Sequence, residues 1–374
     1  MRILRLALER FRSYEACSLD FSEGDIHVLV GPNGAGKTNV MEAVSILSES
    51  RSCLGRDEEE IVRWGESFYR VRADIRSDAG EHTTLEVVSE CTPRKRRAFF
   101  VADVRVPVQN FTAVLPTVVF LPQELSVFSG PPSDRRKLLD RALGQIAPDY
   151  RASLDTYAKA LKQRSALLRH IVQGTGRRED LEIWNAILAH EGAVITLRRL
   201  ELLEVLQCTL RDELLRLGED WPTAEFVYER KGVERLQDAI ERELLSALEH
   251  WTERDILLQS TTTGPHRDDW GICVGGRSLP SFASRGQQRA AVLAVLFLLG
   301  SYTELQRGEK PVIILDDVFS ELDSLHQEAL LSSFADHQVL ITATHAPEHL
   351  PSEARMWSVG NGVIASPQQN TVRV

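Results

Sequence analysis

The stretch GPNGAGKT, residues 31–38, constrains the fold of this chain more than any other segment. It fits the pattern G-x-x-x-x-G-K-[ST]. The apolar, β-branched run IHVLV precedes it, and NVMEAVSIL follows with apolar residues at helical spacing. A strand, a glycine-rich loop and a helix in this order predict a turn whose backbone amides hold phosphate groups. A chance glycine-rich turn is the alternative, and it would not need both neighbours.

Each residue type in this loop has a chemical reason. Glycines let the backbone approach phosphates with no Cβ in the way. Lys37 would reach the β- and γ-phosphates, and the hydroxyl of Thr38 would bind Mg²⁺. The predicted cofactors are therefore ATP and Mg²⁺. The residues expected to bind the nucleotide are Gly31, Pro32, Asn33, Gly34, Ala35, Gly36, Lys37, Thr38 and Asn39.

A second segment, KPVIILDDVFSELD at residues 310–323, supplies acidic groups. Its run VIIL is typical of a parallel strand that is buried on both faces. Asp316 and Asp317 follow at the carboxyl end, where open α/β sheets bind their ligands. We expect Asp316 to hold Mg²⁺ and Asp317 to polarise the attacking water, since phosphoryl transfer needs both tasks. An acidic turn that caps the next helix is the alternative.

Composition restricts the class of protein. The chain has 374 residues, is 43% hydrophobic and 26% charged, and carries a formal net charge of −10. No apolar run approaches the roughly 18 residues of a membrane span, and the charged start MRILRLALERF does not resemble a secretory signal. Five scattered cysteines without C-x-x-C spacing fit reduced thiols and exclude a zinc ribbon. We therefore expect a cytoplasmic protein without membrane contact.

The region between the glycine-rich loop and the acidic strand end is long, and its central part shows helical patterns. Residues 133–172 carry apolar residues on one helical face, GTGRRED breaks the pattern, and a second pattern runs from Leu181 to Leu214. Two long helices would form an antiparallel hairpin, and an arm of about 35 residues would reach roughly 50 Å. An ordinary helical subdomain packed on the core is the alternative. The first 120 residues show strand patterns that predict an added antiparallel sheet.

Several segments resemble ABC-type ATPases. LDDVFSELD looks like their Walker B motif and D-loop, with Asp317 where glutamate is usual. SRGQQR looks like a reduced signature motif, although a capped core helix is an alternative reading of the same residues. In ABC-type ATPases the signature contacts the γ-phosphate bound to a second subunit, so the resemblance implies an ATP-dependent homodimer. The signature residues are Ser284, Arg285, Gly286 and Gln287; the transporter-type pattern has glycine at the position of Arg285.

Two single residues extend this resemblance. Gln123 follows the strand-like run TVVFL, at the position of a Q-loop that would add a ligand near Mg²⁺ and assist catalysis. His345 follows QVLIT at the switch position. An exposed loop residue is the plain alternative for each of them.

The chain as a whole resembles the RecF family of bacterial recombination mediators. The matching stretches are LERFRSYE, GPNGAGKTN, FLPQELSVFSGPPSDRRKLLD, TGPHRDD, SRGQQRAAVLAV and LDDVFSELD. The resemblance implies an α/β fold, namely an ABC-type P-loop ATPase head with a mixed parallel sheet and an added antiparallel β subdomain, plus an inserted α-helical arm domain. Residues 1–130 and 251–374 would form the head and 131–250 the arm. Arg12 would lie near the nucleotide.

The resemblance also implies a function in DNA repair, replication and the SOS response. An ATP-driven dimer would bind double-stranded DNA near single-strand/double-strand junctions and hydrolyse ATP slowly. With RecO and RecR it would promote RecA loading at gaps. A basic cleft would bind DNA phosphates without reading bases. The candidate DNA-facing residues are Arg94, Lys95, Arg96, Arg97, Arg135 and Arg136; for RKRR at 94–97, a solvated hairpin tip is the alternative.

Three other functions share part of these features. A transporter ATPase subunit should have a fuller Gly-Gly-Gln signature and lack the long helical insertion. A nuclease with a similar ATPase head would need a further acidic metal domain, for which only about fifty residues remain after Asp323. A nucleotide-gated scaffold that binds protein partners but no DNA remains open.

Overall fold

The computed structural model describes residues 1–92, 94–347, 350–360 and 362–365, and the backbone of residues 368–369. Its contacts divide the chain into two compact units, residues 1–125 with 293–374 and residues 126–292. All five cysteines are free thiols. Within the described ranges, no helix is both long and apolar enough to cross a membrane.

The first unit contains two sheets and the helices that pack on them. Its elements before residue 126 are β1 Arg2–Phe11, β2 Tyr14–Asp20, β3 Ile26–Val30, α1 Lys37–Glu49, α2 Glu58–Ile61, β4 Phe68–Arg76, β5 His82–Glu90, β6 Arg96–Val101, β7 Val104–Val106, α3 Val108–Thr112, β8 Thr117–Phe120 and a 3-10 helix over Pro122–Ser126.

The second unit is mainly helical. Its elements are α4 Pro132–Ile146, α5 Pro148–Val172, α6 Leu181–Arg216, β9 Ala224–Glu229, α7 Gln237–His250, α8 Thr252–Leu258, β10 Asp269–Val274, β11 Arg277–Ser278, a 3-10 helix over Leu279–Ser281 and the start of α9 Arg285–Arg307.

The chain returns to the first unit within α9. The remaining elements are β12 Val312–Asp316, a 3-10 helix over Val318–Glu321, α10 Ser324–Ser333, β13 Val339–Ala343, β14 Arg355–Gly360, β15 Val363–Ile364 and β16 Gln368–Gln369.

The two sheets of the first unit have different hydrogen-bonding patterns. One is antiparallel, with strand order β2-β1-β4-β5-β6-β7. In the other, β14, β3, β13, β12 and β8 are parallel neighbours in this order, and β15 pairs antiparallel with β14. Both expected sheets are therefore confirmed. The parallel arrangement brings the carboxyl ends of β3, β13, β12 and β8 to one edge.

Helix α1 is the central element of the core of this unit. It contacts strands of both sheets, and its residues from Val40 to Ser48 are all buried. A helix that is covered on every side cannot be strongly amphipathic, and its sequence VMEAVSILS is accordingly apolar or small apart from Glu42. This burial fixes the position of the helix N-terminus, at which the glycine-rich loop ends.

The second unit extends further along the chain than the arm expected at 131–250. Strand β10 pairs antiparallel with β9, and Asp255 pairs with Arg164 of α5 at 2.7 Å in the unexposed interior. Residues 251–292 thus belong to the same compact unit as residues 131–250. The sequence patterns of α5 and α6 could not reveal this, because Asp255, β9 and β10 lie outside both helices.

Candidate functional site

The glycine-rich loop joins β3 to α1 through conformations that suit glycine. Gly34 and Gly36 have φ angles of 79° and 109°, where residues with a Cβ are strained. Gly31 has a different reason: a Cβ there would lie 2.1 Å from the carbonyl oxygen of Val359 in β14. The glycines of the motif are thus fixed by backbone conformation at two positions and by a neighbouring strand at the third.

The turn between β1 and β2 packs against the end of this loop. The Tyr14 hydroxyl donates to the carbonyl oxygen of Gly36 at 3.0 Å, and Asn39 Nδ2 donates to Ser13 Oγ at 3.0 Å. Tyr14 is fully buried, and burial raises the pKa of its phenol, so it remains a hydrogen-bond donor. The sequence reasoning missed Tyr14, although it stands in the FRSY stretch that carried the family resemblance.

Lys37 and Thr38 begin α1 beside the acidic strand end. The ammonium of Lys37 donates to the carbonyl oxygens of Gly31 and Pro32 at 2.8 and 3.1 Å. Thr38 Oγ1 donates to Asp316 Oδ1 at 2.9 Å. The two segments, 278 residues apart in sequence, therefore meet through a direct hydrogen bond.

Asp316 accepts a second hydroxyl from the neighbouring strand. Thr342, at the end of β13, donates from Oγ1 to Asp316 Oδ1 at 2.6 Å. Burial raises the pKa of the Asp316 carboxyl, an effect that the hydroxyls of Thr342 and Thr38 partly offset. Thr342 was not among the predicted site residues. A threonine at the carboxyl end of the otherwise apolar run VLIT was the available signal.

Asp317 has an unusual backbone conformation for a residue other than glycine. Its φ of 50° lies in the left-handed region, and its amide donates to Thr342 Oγ1 at 2.9 Å and to the Thr342 carbonyl oxygen at 3.1 Å. Its Oδ1 atom is buried and has no hydrogen-bond partner among the described residues. Asp317, Thr342 and six residues of 33–39 line a cleft of about 150 Å³.

The donor set of this cleft suits ATP and Mg²⁺. Mg²⁺ in nucleotide sites is bound by one or two protein oxygens together with the phosphates, and Thr38 and Asp316 supply such oxygens. The Asp317 Oδ1 atom is a buried acceptor that a water molecule would satisfy. Gly34 and Gly36 allow the tight turn of the loop, which residues with a Cβ adopt only with strain. ATP with Mg²⁺ remains the interpretation of these residues.

Gln123 and His345 lie beyond the carboxyl ends of strands at the same edge. Gln123 is exposed on the 3-10 helix that follows β8, and the residues lining the cleft do not include it. His345 is exposed after β13 and lines a second cleft of about 400 Å³ together with Asp317 and the residues Ser320 and Asp323 of the D-loop segment. Their predicted roles remain predictions.

Arg12 is engaged by α1 and not by the cleft. Its guanidinium forms a two-pronged pair with Glu42 at 2.7 and 2.9 Å and also donates to the carbonyl oxygen of Glu60. Glu42 has no exposed surface, and Arg12 retains 12% of its side-chain exposure. In these contacts Arg12 fixes the β1–β2 turn beside the loop, so nucleotide contact by its own side chain remains a prediction.

The signature residues start α9 in the second unit. Ser284, Arg285 and Gly286 are exposed. The backbone N–H of Gln287 donates to Ser284 Oγ at 3.3 Å, and the backbone N–H of Ser284 donates to Gln287 Oε1 at 3.0 Å. This reciprocal pair is a capping box in which Ser284 is the N-cap of α9. The side chain expected to meet a nucleotide on another subunit lies at the surface of its own.

Of the predicted DNA-facing residues in RKRR, Arg94 and Lys95 lie in the β5–β6 turn, and Arg96 and Arg97 begin β6. Arg94, Lys95 and Arg96 are exposed, and Lys95 pairs with Glu59 at 2.6 Å. Arg97 is instead partly buried: it contacts Glu58 at 2.9 Å and donates to a backbone carbonyl oxygen of residue 50 at 2.7 Å. Three of the four cations are thus exposed near a hairpin tip, and one of these, Lys95, is already paired with Glu59.

Arg135 and Arg136 are used inside the second unit. Arg135 forms a two-pronged pair with Asp269, both distances 2.7 Å, and donates to two backbone carbonyl oxygens. Arg136 donates to the carbonyl oxygen of Asp268 at 2.7 Å, and burial lowers the pKa of its guanidinium. Both side chains tie α4 to the TGPHRDD segment, which differs from the expected DNA-facing role.

The TGPHRDD segment forms hydrogen bonds with several elements of the second unit. His266 Nδ1 lies 2.6 Å from the hydroxyl of Tyr157 in α5, and Arg199 of α6 donates to the carbonyl oxygen of Pro265 at 2.8 Å. Asp268 accepts from the Tyr228 hydroxyl at 3.0 Å. Burial lowers the pKa of His266 to about 4 and raises that of Asp268 to about 6. This motif therefore connects α4, α5, α6 and β9.

Comparisons with known proteins agree with this architecture. The family model described as "RecF/RecN/SMC N terminal domain" matches residues 2–361. The DNA replication and repair protein RecF of Heliobacterium modesticaldum is 34% identical over 364 residues, which cover 94% of this chain and 95% of that protein.

Two solved structures are informative in different ways. The recombination mediator protein RecF-ATPrS in the RecFOR pathway has a TM-score of 0.87 and 28% identity, with 98% of each chain covered. An SMC head bound to the C-winged helix domain of ScpA has a TM-score of 0.55 and 14% identity, with 99% of this chain and 98% of that chain covered, so it shows a shared fold alone. With its glycine-rich loop, acidic strand end, inserted helices and full-length similarity, this chain belongs to the RecF family.

Proposed function

We propose that this protein is an ATP-driven homodimer that binds double-stranded DNA near single-strand/double-strand junctions. The observation that carries the ATP-driven part of the proposal is the pair of contacts from Thr38 and Thr342 to Asp316. They lie beside Asp317 Oδ1, which has no hydrogen-bond partner among the described residues. Such a cluster at a glycine-rich loop favours a triphosphate bound with a divalent cation. Ser284 is exposed, so the Ser284 of a second copy would be able to contact the bound triphosphate.

Similar proteins support the cellular setting. The curated relatives are named DNA replication and repair protein RecF, and solved RecF structures with ATP or ATPrS are assigned to the RecFOR pathway. By this similarity, the protein would act with RecO and RecR to promote RecA loading at gaps, in recombination and in SOS induction. We expect a cytoplasmic, nucleoid-associated protein.

The chain's own residues would perform distinct tasks in a weak, DNA-stimulated ATPase. Mg²⁺, when bound through Thr38 and Asp316, would neutralise charge on the transferring phosphoryl group. Lys37 would exchange its carbonyl contacts for phosphate oxygens. Asp317 would orient water through its Oδ1 atom, and Gln123 would add a ligand near Mg²⁺. Because aspartate is one methylene shorter than the usual glutamate, we expect slow turnover.

Sedimentation with ATP, with ADP and without nucleotide tests the dimer. Wild type should dimerise with ATP only, and Lys37→Met should stay monomeric because it loses the charge that balances the phosphates. Lys162→Met, which replaces an exposed lysine of α5, is the matched control. Asp317→Asn should bind ATP, hydrolyse it poorly and persist as a dimer. Full turnover in Asp317→Asn would remove its proposed role.

DNA binding is proposed for the β5–β6 hairpin tip. Phosphate contacts release counterions, so each lost contact should lower affinity about equally for all sequences and reduce the salt slope by about 1. Arg94→Ala and Arg96→Ala should both show this in duplex titrations at several salt concentrations. Arg177→Ala, at another exposed arginine, should not. If ATP leaves duplex affinity of the wild type unchanged, a scaffold without DNA binding becomes the better proposal.

A further inference from the structure

The long helix α6 ends beside the signature segment within the second unit. Its last residue is Arg216, and the chain reverses at Gly218, whose φ is 85°. The amide of Glu219 then donates to the carbonyl oxygen of Leu214 at 2.9 Å. This bond closes the helix end, so Glu219 is fixed to the last turn of α6.

The Glu219 side chain reaches the signature. Its Oε2 atom accepts a hydrogen bond from Gln287 Nε2 at 3.0 Å. A second contact lies nearby, where Trp221 packs edge-on against Phe282 with ring centroids 5.8 Å apart. The end of α6 and the start of α9 are therefore joined by one polar contact and one aromatic contact.

The chemistry of this contact selects one orientation of the Gln287 amide. A carboxylate only accepts hydrogen bonds, so Glu219 requires the NH₂ group of Gln287 on its side. The amide oxygen then faces the other way and accepts from the Ser284 N–H, as observed. In the flipped orientation two acceptors would face each other at Glu219 and two donors at Ser284. Glu219 thereby sets the geometry of the capping box.

We propose that Glu219 is a positioning residue for the signature, because it holds the side chain of Gln287 in the orientation that the capping box requires. The proposal rests on the proposed function, in which Ser284 meets a triphosphate held by a second copy of this chain. Because Ser284 Oγ accepts from the backbone N–H of Gln287, the hydrogen of its own hydroxyl can be donated to a phosphate oxygen.

The expected loss of dimer affinity in Glu219→Ala follows from the two-fold symmetry of the dimer. A hydrogen bond to a charged group that is partly exposed should be worth about fivefold in the affinity of one composite site. A two-fold dimer contains two such sites, so Glu219→Ala should lower the ATP-dependent association constant by about 25-fold. Binding of a fluorescent ATP analogue to dilute monomer should remain unchanged, because that reports on the glycine-rich loop.

Substitutions at the same position separate orientation from bulk. Glu219→Gln retains an acceptor and should stay within about threefold of wild type in sedimentation with ATP. Glu219→Lys presents donors, which favour the flipped amide, and should weaken the dimer at least as much as Glu219→Ala. Asp220→Lys, with the same change of charge at the next, exposed residue, is the control and should dimerise like wild type.

The outcomes distinguish this inference from the function on which it rests. A wild type that does not dimerise with ATP overturns the proposed function. A dimerising wild type with an equally strong Glu219→Ala dimer overturns the inference alone, as does a Glu219→Gln variant as weak as Glu219→Ala. If Glu219→Ala does not fold, the comparison of Glu219→Gln with Glu219→Lys decides the question. Stronger ATP-dependent dimerisation of Glu219→Gln supports the inference, and equal dimerisation of the two variants overturns it.

Discussion

Thr342 offers the sharpest test of how the acidic strand end works. Its hydroxyl donates to Asp316 at 2.6 Å and accepts from the Asp317 amide at 2.9 Å. Thr342→Val has nearly the same shape but lacks the hydroxyl. The Asp317 amide keeps its contact with the Thr342 carbonyl oxygen. The change therefore falls mainly on the carboxylate of Asp316.

The magnitude follows from the burial of that carboxylate. Asp316 is 5% exposed and Thr342 is not exposed at all, so water cannot replace the missing donor. A hydrogen bond to a charged group contributes about 1.5–3 kcal/mol, and the new methyl group offsets less than about 1 kcal/mol of it. We expect Thr342→Val to lose about 2 kcal/mol of unfolding free energy near pH 8.

The expected pH dependence has a definite sign. Only the ionised carboxylate needs the donor, so the substitution raises the pKa of Asp316 further. The loss should be largest at high pH and shrink as the pH falls and Asp316 becomes protonated. Since Mg²⁺ requires the ionised form, affinity for Mg²⁺ with ATP should fall about tenfold at neutral pH.

Urea unfolding at pH 6 and 8 and titration of ATP with Mg²⁺ measure these effects. Thr342→Ser keeps the hydroxyl and is the matched control, which should retain wild-type affinity. Equal behaviour of Thr342→Val and Thr342→Ser in both assays would refute the reasoning, since it would mean that Asp316 does not depend on its neighbour in β13.

Three further predictions concern the core of each unit. Gly36→Ala should lose about 2 kcal/mol, because φ is 109° and the new Cβ would lie 2.8 Å from Tyr14 Oη; adding Tyr14→Phe should restore part of this in thermal unfolding. Burial lowers the pKa of His27 to about 4, below that of the unfolded chain, so stability should fall as the pH drops below about 6.5, by about 2 kcal/mol at pH 5; His27→Leu should remove this loss in urea unfolding. Arg164→Met should cost about 3–5 kcal/mol by leaving buried Asp255 unpaired, and the double variant Arg164→Met/Asp255→Asn should be less affected than the sum of the single ones.

Local patterns were sufficient for the elements that carry the chemistry. The run IHVLV is β3, and VIIL lies within β12, which ends at Asp316. The helical patterns predicted α5 and α6 with a break between them, and the second helix ends at Arg216, close to the expected Leu214. Hydrophobic periodicity records which face of an element is buried, so it is reliable for long elements.

Contacts between distant segments could not be predicted in the same way. Tyr14 and Thr342 enter the site through the turn and the strand beside it, and periodicity assigns no partner to either residue. The basic pair at residues 135 and 136 looked available for phosphates because the acceptors of Arg135 and Arg136 lie about 130 residues later in the chain. A cation's charge is visible in a sequence, but its partner is decided by tertiary structure.

The strand order of the parallel sheet has a consequence for synthesis of the protein. Strand β3 pairs with β13 and β14 on its two sides, and both belong to the last tenth of the polypeptide. At about 5–20 residues per second, the ribosome would need roughly 15–60 s after making β3 before its first neighbour emerges. During that interval the nascent chain would expose an apolar strand with two unpaired edges, which favours aggregation. Premature stop codons anywhere before β13 should accordingly yield aggregated or degraded protein and no partly active fragment.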